Sequence, residues 1–396
     1  MAYQLACARI DWVLLCKDTK VISYYKSTEN MIGFIFLVYS VVLGWLILAK
    51  RGNEGNKLNN YKEPISLVVA YRNERDNLTR LINSIEDQLI DKSNLELILV
   101  NDHSTDGSLQ LIQQLIRKSK LTIKLFNLES NEGKKAAISL GVSNAISDVI
   151  ICTDADCEPN LKWIKTMIVP FENKEIKMVL GAVKLNGPKG WFHELQEVEF
   201  STLMAMTLLM CRRKRAIMSN GANYAFRKSA FEESDAYAGN WSVNTGDDVF
   251  LLHSFKRKFG NKSIAFSESK ESVITTKTKE NCSSFFEQRI RWASKSKNYR
   301  DYDTLKIGAV IFSANLAILV VAIGAAIQLY SIQFFIGCFL FKWVLDLLFL
   351  QRLTPHLRPK LIVKWTFLLS IFYPFYSVGI ALLSLFYKPQ WKGRKI

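Results

Sequence analysis

Apolar positions along this chain follow two regimes. Residues 31–49, 307–330 and 365–387 form runs with no charged side chain, and 332–350 is interrupted only by Lys342 and Asp346. Each run is long enough to cross a bilayer core, which takes about 20 apolar residues. Lys342 and Asp346 stand four apart, so on a helix they share a face and can neutralise each other. Between the first run and the rest, over residues 51–305, apolar stretches are short and the chain is soluble in character.

In that region the runs 65–70, 95–100, 123–126 and 149–152 read as buried strands. Between them lie helical spacings: Leu78, Leu81, Ile82, Ile85 and Leu89 after a cap at Asp76-Asn77, then Leu109, Ile112, Leu115 and Ile116, then 136–146. Uninterrupted alternation of strand and helix predicts an α/β, Rossmann-like, mainly parallel sheet covered on both faces. Ligands of such sheets sit beyond the carboxyl ends of the strands. The loops there are Tyr71-Arg72-Asn73-Glu74, then 101–107 from Asn101 to Gly107, then 130–135 with Gly133 and Lys134, and Thr153-Asp154-Ala155-Asp156. Four loops thus bring polar groups to one rim.

The expected organisation is an unassigned segment over 1–30, a transmembrane helix over 31–49, a catalytic domain over 57–304, a membrane region of about three apolar segments over 305–387, and a basic tail over 388–396. Residues 1–30 make a poor cleavable signal, since Arg9 and Asp11 interrupt the first apolar portion. Lys50 and Arg51 follow the first run and 289–306 is rich in Lys and Arg, so the positive-inside rule places the domain in the cytoplasm of an integral protein of a bacterial-type inner membrane. If all three later segments cross, the basic tail ends outside, against that rule. Pro374 is expected to break the last segment, leaving open whether it spans or is re-entrant or interfacial.

The net charge of +16 admits anionic lipid, phosphorylated substrates or nucleic acid as partners. Nucleic acid ranks last because no motif for it is present. Seven scattered cysteines without a CxxC pair fit a reducing compartment, with Cys152 and Cys157 as filler and not as ligands.

Asp154 and Asp156 are two apart and can aim oxygens at one hard cation, Mg²⁺ or Mn²⁺, although D-x-D is also a common acidic turn. Asp102 can accept from ribose hydroxyls or a base N–H, while Thr105 or Asp106 caps the next helix. Gly133-Lys134 offers close backbone and a point charge for phosphate, or a solvated turn. In the acidic pair Asp247-Asp248 one carboxylate can act as general base, or the pair can cap the helix that follows. Gln288, Arg291 and Trp292 share a helix face and suit a sugar and a diphosphate, or an interfacial helix at a membrane.

Read together, LVVAYRNE (67–74), VNDHSTDGS (100–108), NEGKKAA (131–137), TDADCEP (153–159), SNGANYAFRKSAF (219–231), TGDD (245–248) and QRIRW (288–292) resemble the family 2 glycosyltransferases, membrane-anchored inverting enzymes with a GT-A domain. The motifs are in family order. The resemblance implies that Tyr71, Asn73, Glu74, Asp102, Gly133 and Lys134 bind the donor with Asp154, and that Asp154 and Asp156 hold the metal. It implies Asp248 as base with Asp247 beside it, and Gln288, Arg289, Arg291, Trp292, Gly221 and Asn223 near diphosphate and acceptor. Many relatives have Glu-Asp where this chain has Asp247-Asp248.

The activity expected is transfer of a sugar, from a UDP-linked donor, to a lipid or lipid-linked acceptor. QRIRW is also prominent in processive polysaccharide synthases, which would take a glycan acceptor. Trp391-Lys392-Gly393-Arg394 resembles the tail of ceramide glucosyltransferases. From other classes, a nucleotidyltransferase can share the sheet and the acidic pair, and an inactive envelope scaffold can share the fold. The oligomeric state is not legible in the sequence.

Overall fold

The computed structural model describes residues 19–51, 63–129, 133–237, 239–241, 246–360, 362–387, 390–391 and 394–395. The expectations for residues 1–18, for Asn131 and Glu132, for Asn244 and Thr245, and for Lys388, Lys392 and Gly393 lie outside the described residues.

The first helix among the described residues, α1 (Thr19–Ile47), begins well before the expected residue 31. The domain follows as β1 (Ile65–Tyr71), α2 (Arg75–Glu86), β2 (Leu95–Asn101), α3 (Ser108–Ile116), β3 (Thr122–Asn127), α4 (Lys134–Ser143) and β4 (Val149–Cys152). It continues through β5 (Glu158–Pro159), α5 (Trp163–Ile168), β6 (Met178–Gly181), β7 (Val183–Asn186), α6 (Trp191–Arg212), β8 (Tyr224–Arg227) and α7 (Lys228–Glu233). Then come α8 (Asp247–Phe259), β9 (Ile264–Ser267), β10 (Ile274–Lys277) and α9 (Cys282–Ser294). The membrane region holds α10 (Tyr302–Ala326), α11 (Ile332–Leu350) and α12 (Ile362–Phe386), and a short antiparallel pair, β11 (Gln390–Trp391) and β12 (Arg394–Lys395), ends the chain.

All four expected strands form. Seven strands make the main sheet in the order β3-β2-β1-β4-β8-β6-β9, with β1, β2, β3 and β4 parallel and β8 antiparallel to both its neighbours. β1, β2 and β4 are buried almost throughout, as strands covered on both faces must be. Strand order reverses between β1 and β4, which opens the crevice where such sheets bind ligands. A second sheet, β5-β10-β7, stands beside it and carries the chain towards α9.

Helix starts differ from expectation. The α2 helix begins at Arg75, so Asp76 and Asn77 lie in its first turn and do not cap it; Asn77 instead donates to Glu74 Oε2 at 2.6 Å. At α3 the cap position falls to Gly107, and Asp106 accepts from Ser108 N at 3.0 Å and Arg75 N at 3.0 Å, which ties the starts of two helices together.

Among the described residues, four helices are long and apolar enough to cross a membrane: Lys26–Ile47 within α1, α10, α11 and α12. Along α1, Ile32, Phe36, Tyr39, Leu43 and Leu46 are buried against the other helices, while Phe34, Leu37 and Val41 face outward. Lys342 and Asp346 pair at 2.7 Å as their spacing implies, and the Tyr39 hydroxyl also donates to Asp346.

The expected break at Pro374 does not form: α12 is continuous through it. The backbone bond lost there is the one to the Ser370 carbonyl, and such a loss is tolerated where neighbouring helices pack around the proline, which is buried here. Both ends of α12 nevertheless touch the domain. The turn before it touches the domain through Lys184 Nζ and His356 O at 3.5 Å. In mid-helix the Tyr376 hydroxyl reaches Glu199 of α6, and near its end Leu385 O accepts from Lys297, between α9 and α10, at 2.9 Å. A 25-residue helix is about 37 Å long, so one that crossed from the domain side would end a bilayer away from Lys297. With α12 lying along the domain, an epitope fused after Ile396 is expected on the same side of the membrane as one in the catalytic domain. Labelling in sealed, inside-out vesicles checks this; protection of the tail epitope where the domain epitope reacts contradicts it.

Candidate active site

The loops after β1 and β2 are laced together at the rim. Asn73, at φ +51°, receives Thr105 N on its side-chain oxygen at 2.8 Å, and its own N donates to Ser104 Oγ at 3.0 Å. Glu74 N donates to Ser108 Oγ at 3.1 Å, and Arg72 reaches the Asp102 carbonyl at 2.9 Å. Asp102 is buried, with its N on the Tyr71 carbonyl at 2.8 Å and its carboxylate 3.1 Å from His103 Nδ1. The bonding holds Tyr71, Glu74 and Asp102 on one wall of a crevice.

The opposite side is set by charge. Gly133, at φ +93°, occupies the cap position of α4 and starts the helix at Lys134. Lys134 Nζ donates to Asp154 Oδ1 at 2.6 Å and to Gly221 O at 3.2 Å, and lies 3.6 Å from Asp247 Oδ2. Burial alone would lower this ammonium, but Asp154, Asp247 and Asp248 outweigh it and hold Lys134 above the ordinary lysine value. A Cβ on Gly221 would stand 2.7 Å from Lys134 Nζ, so a side chain there would displace the ammonium from this position.

Asp247 and Asp248 open α8 at 6% and 5% exposure, and do not cap it; the cap position is Gly246. Burial raises the Asp247 carboxyl, Lys134 opposes this, and Asp248 and Asp154 add to it. Tyr224 OH stands 3.4 Å from Asp247 Oδ2. The nearest ammonium to Asp248 is Lys295 at 3.7 Å, beyond hydrogen-bond reach.

Asp154, Asp156 and Cys157 present ligand atoms within 4.8 Å of one another. Burial, with Asp154 and Asp156 beside it, pushes the Cys157 thiol well up. Paired carboxylate oxygens at the mouth of an open crevice fit Mg²⁺ or Mn²⁺, which bind through one or two carboxylates and keep positions for other oxygens.

On α9, Gln288, Arg291 and Trp292 all reach the cavity wall. Burial lowers the Arg291 guanidinium somewhat, while Asp154, Asp247 and Asp248 favour its charge. Arg289 is 3% exposed and bidentate to Glu199 of α6, with Nε at 3.0 Å and Nη2 at 2.5 Å, and its plane stacks between Phe285 and Trp292 at 4.5 and 4.4 Å. Tyr376 OH donates to the same carboxylate at 3.1 Å.

One cavity of about 920 Å³ therefore gathers Tyr71, Glu74, Asp102, Lys134, Asp154, Asp156, Gly221, Asp247, Asp248, Gln288, Arg289, Arg291 and Trp292. Asn73 and Gly133 shape its rim from behind. Asn223 is not part of it and corrects the expectation that it meets diphosphate or acceptor. The residue is wholly buried, takes Trp163 Nε1 at 2.9 Å and donates to the Ala182 and Ser272 carbonyls at 2.7 and 2.8 Å, so its amide is consumed in holding the sheet. Sequence reasoning missed Glu199, Lys295 and Tyr376. The signal for Glu199 was a carboxylate inside Val198-Glu199-Phe200, where an apolar helix face demands a buried cation.

A parallel sheet with an acidic pair at its fourth strand and a second acidic pair across the crevice has the architecture of a GT-A glycosyltransferase. A mannosyltransferase from Pyrobaculum calidifontis, solved with GDP-Man and Mn²⁺, superposes over 93% of this chain and 98% of its own with a TM-score of 0.62 at 17% identity, which shows the fold. The family described as Glycosyl transferase family 2 matches residues 66–234, and Glycosyl transferase family group 2 matches 165–387. The chain belongs to glycosyltransferase family 2. A poly-β-1,6-N-acetyl-D-glucosamine synthase of Staphylococcus epidermidis is 24% identical over 58% of this chain and 54% of its own length. A dodecaprenyl-phosphate galacturonate synthase of Rhizobium johnstonii is 29% identical over 30% of this chain and 35% of its own. Glycosyltransferase AglE of Haloferax volcanii is 22% identical over 32% and 41%. The chain thus spans about half or less of the length of these relatives.

Removing Glu199 would leave Arg289 buried without its partner. Glu199→Ala is expected to destabilise the protein by about 3–5 kcal/mol, read as a lowered unfolding midpoint in detergent; Glu268→Ala, which frees Arg212 in the same way, controls for a generic buried pair. Lys134→Met removes the group that opposes the rise of Asp247, so the acid limb of the pH–activity profile should move to higher pH. A limb that stays put or moves down contradicts the coupling.

Proposed function

We propose that this protein is a metal-dependent, inverting glycosyltransferase that moves a sugar from a nucleotide-sugar, UDP-linked in the reading preferred, to the hydroxyl of a lipid acceptor at the membrane surface. The observation that carries this is the continuity of the cavity. From the carboxylates it runs past Trp292 to Leu43 of α1, Ile311 of α10, Leu350 of α11 and Leu369 of α12. A soluble acceptor has no use for that extension, whereas a lipid lodged between those helices would present its head to Asp248.

In the step proposed, the acceptor oxygen attacks the anomeric carbon from the face opposite the diphosphate. The new C–O bond forms as the bond from carbon to the diphosphate oxygen breaks, and that electron pair leaves with the nucleoside diphosphate. Asp248 takes the acceptor proton, its oxygens lying within the cavity and outside hydrogen-bond reach of Lys295. Arg291 and Lys134 face the leaving phosphates, where fixed positive charge stabilises the charge that develops. A divalent cation held by Asp154 and Asp156 would supply further positive charge there. Tyr71, Glu74 and Asp102 form the wall suited to the nucleoside. The basic flanks at Lys50, Arg51 and residues 289–306 support a cytoplasmic domain apposed to anionic lipid.

A polysaccharide synthase working from the same donor site is the second reading, favoured by the likeness to the staphylococcal synthase. Labelled donor separates the two: the preferred reading expects a product extractable into organic solvent, and the second a polymer retained on a gel. Asp248→Asn is expected to lower turnover by about 10²–10⁴-fold while keeping donor affinity; loss of donor affinity removes Asp248 from the base role. Asp154→Asn should abolish metal-supported donor binding, and full activity of that variant in chelator overturns the metal assignment.

A further inference from the structure

Two lysines stand side by side at the start of α4 and face different ways. Lys134 lines the cavity and Lys135 does not. Lys135 is 5% exposed, and its Nζ donates at 2.5 Å to Asn240 O, in the loop between α7 and α8. The same ammonium lies 4.5 Å from the ring centroid of Phe250 and 5.7 Å from that of Tyr237. Phe250 stands two residues beyond Asp248, and its ring packs against the cap of α8, where a Cβ on Gly246 would meet it at 3.0 Å. Tyr237 in turn meets Trp241 edge to face at 5.5 Å. One ammonium thus touches the chain on both sides of Asp247 and Asp248: in the loop that leads to them and in the helix that carries them.

Burying that charge works against folding. Burial lowers the Lys135 ammonium to about 8; Asp247 and Asp248 of α8 oppose the fall, and Lys295, in the turn after α9, adds to it. A folded value below the ordinary one means that the fold favours the neutral amine. The charge therefore costs stability at neutral pH, and the cost fades as pH rises through about 8 towards the ordinary lysine value. A charge that stability does not ask for, set against the start of the helix bearing the acidic pair, is kept for what it holds in place.

Resting on the reading of Asp248 as base, we propose that Lys135 is a positioning residue for sugar transfer: its ammonium clamps the loop at Asn240 and the ring of Phe250, and so holds the start of α8 with Asp248 at the cavity. It touches neither reactant. The clamp is in force while the amine is ionised, so turnover falls as Lys135 loses its proton. Lys134 is held above the ordinary lysine value, and the Tyr224 and Tyr237 hydroxyls are pushed well up, so these neighbours keep their protons across that range.

The test uses full-length protein in phosphatidylcholine nanodiscs with Mn²⁺. It reads nucleoside diphosphate released from UDP-glucose, UDP-N-acetylglucosamine and GDP-mannose with water as acceptor. Backbone deuterium uptake is read beside it, needs no substrate, and decides by itself where none of the three donors is turned over. At pH 7, Lys135→Met is expected to lower release about tenfold or more and to speed exchange at residues 239–241 and 247–252, with the sheet unchanged. It should keep the thermal shift given by UDP or GDP and unfold no earlier than the parent. At pH 9 the gap in release should close to about twofold, because the parent amine is then mostly neutral. Lys135→Arg, which stays charged, should carry activity to higher pH. Uptake like the parent's in Lys135→Met overturns the clamp. So does release equal to the parent's at pH 7, a gap of the same size at pH 7 and pH 9, or a lowered unfolding midpoint that accompanies the loss. Asp248→Asn tests the reading beneath: if it releases nucleotide like the parent while Lys135→Met shows the expected uptake and midpoint, the base assignment falls and the clamp on α8 stands.

Discussion

A single buried carboxylate joins the two halves of this molecule. Glu199 sits inside α6, where an isolated charge would be strongly unfavourable, and it is made tolerable by a bidentate Arg289 and the Tyr376 hydroxyl. Those partners come from α9 and α12, so one carboxylate fixes a domain helix, the helix bearing Gln288, Arg291 and Trp292, and the last apolar helix against one another. The cavity wall depends on this junction. Arg289 is held at the cavity by Glu199, and Arg291 and Trp292 line the same cavity from the same helix.

The rim shows a different economy of charge. Lys134, Arg291 and Lys295 stand among Asp154, Asp247 and Asp248, with Lys295 nearest Asp248. Lys134 is shared between Asp154 and Asp247, which links the acidic pair after β4 to the pair that opens α8. Because these groups come from the start of α4, the loop after β4 and the start of α8, the packing of those elements on the sheet sets the distance between the two acidic pairs. Gly221 is the clearance that lets one ammonium serve both.

Much of this was legible in the chain, for physical reasons that can be named. β4 was found to the residue because a strand covered on both faces must be apolar throughout, and it ends where Thr153-Asp154 turns polar. α11 was likewise found at Ile332–Leu350, with the Lys342–Asp346 pair given by helical spacing alone. What failed were features decided by partners far off in sequence. Asn223 reads as a loop amide near a ligand, but Trp163, Ala182 and Ser272 claim it. Asp76-Asn77 looks like a helix cap, yet hydrogen bonds from the neighbouring loop let α2 start earlier. Pro374 should interrupt a helix in water; here it is buried against other helices, and the helix persists. Glu199 shows in the sequence only as a carboxylate on an apolar helix face, because its partner is an arginine 90 residues away.

The continuity of the cavity with the helices has a kinetic corollary. A reactant entering between α10 and α12 would be met by lateral diffusion within the bilayer and not from bulk solvent. The quantity that saturates the enzyme on that side is then a mole fraction of the surrounding lipid, while the nucleotide-sugar saturates it as an ordinary volume concentration. Diluting the membrane with inert lipid would slow such an enzyme without any change in the amount of either substrate.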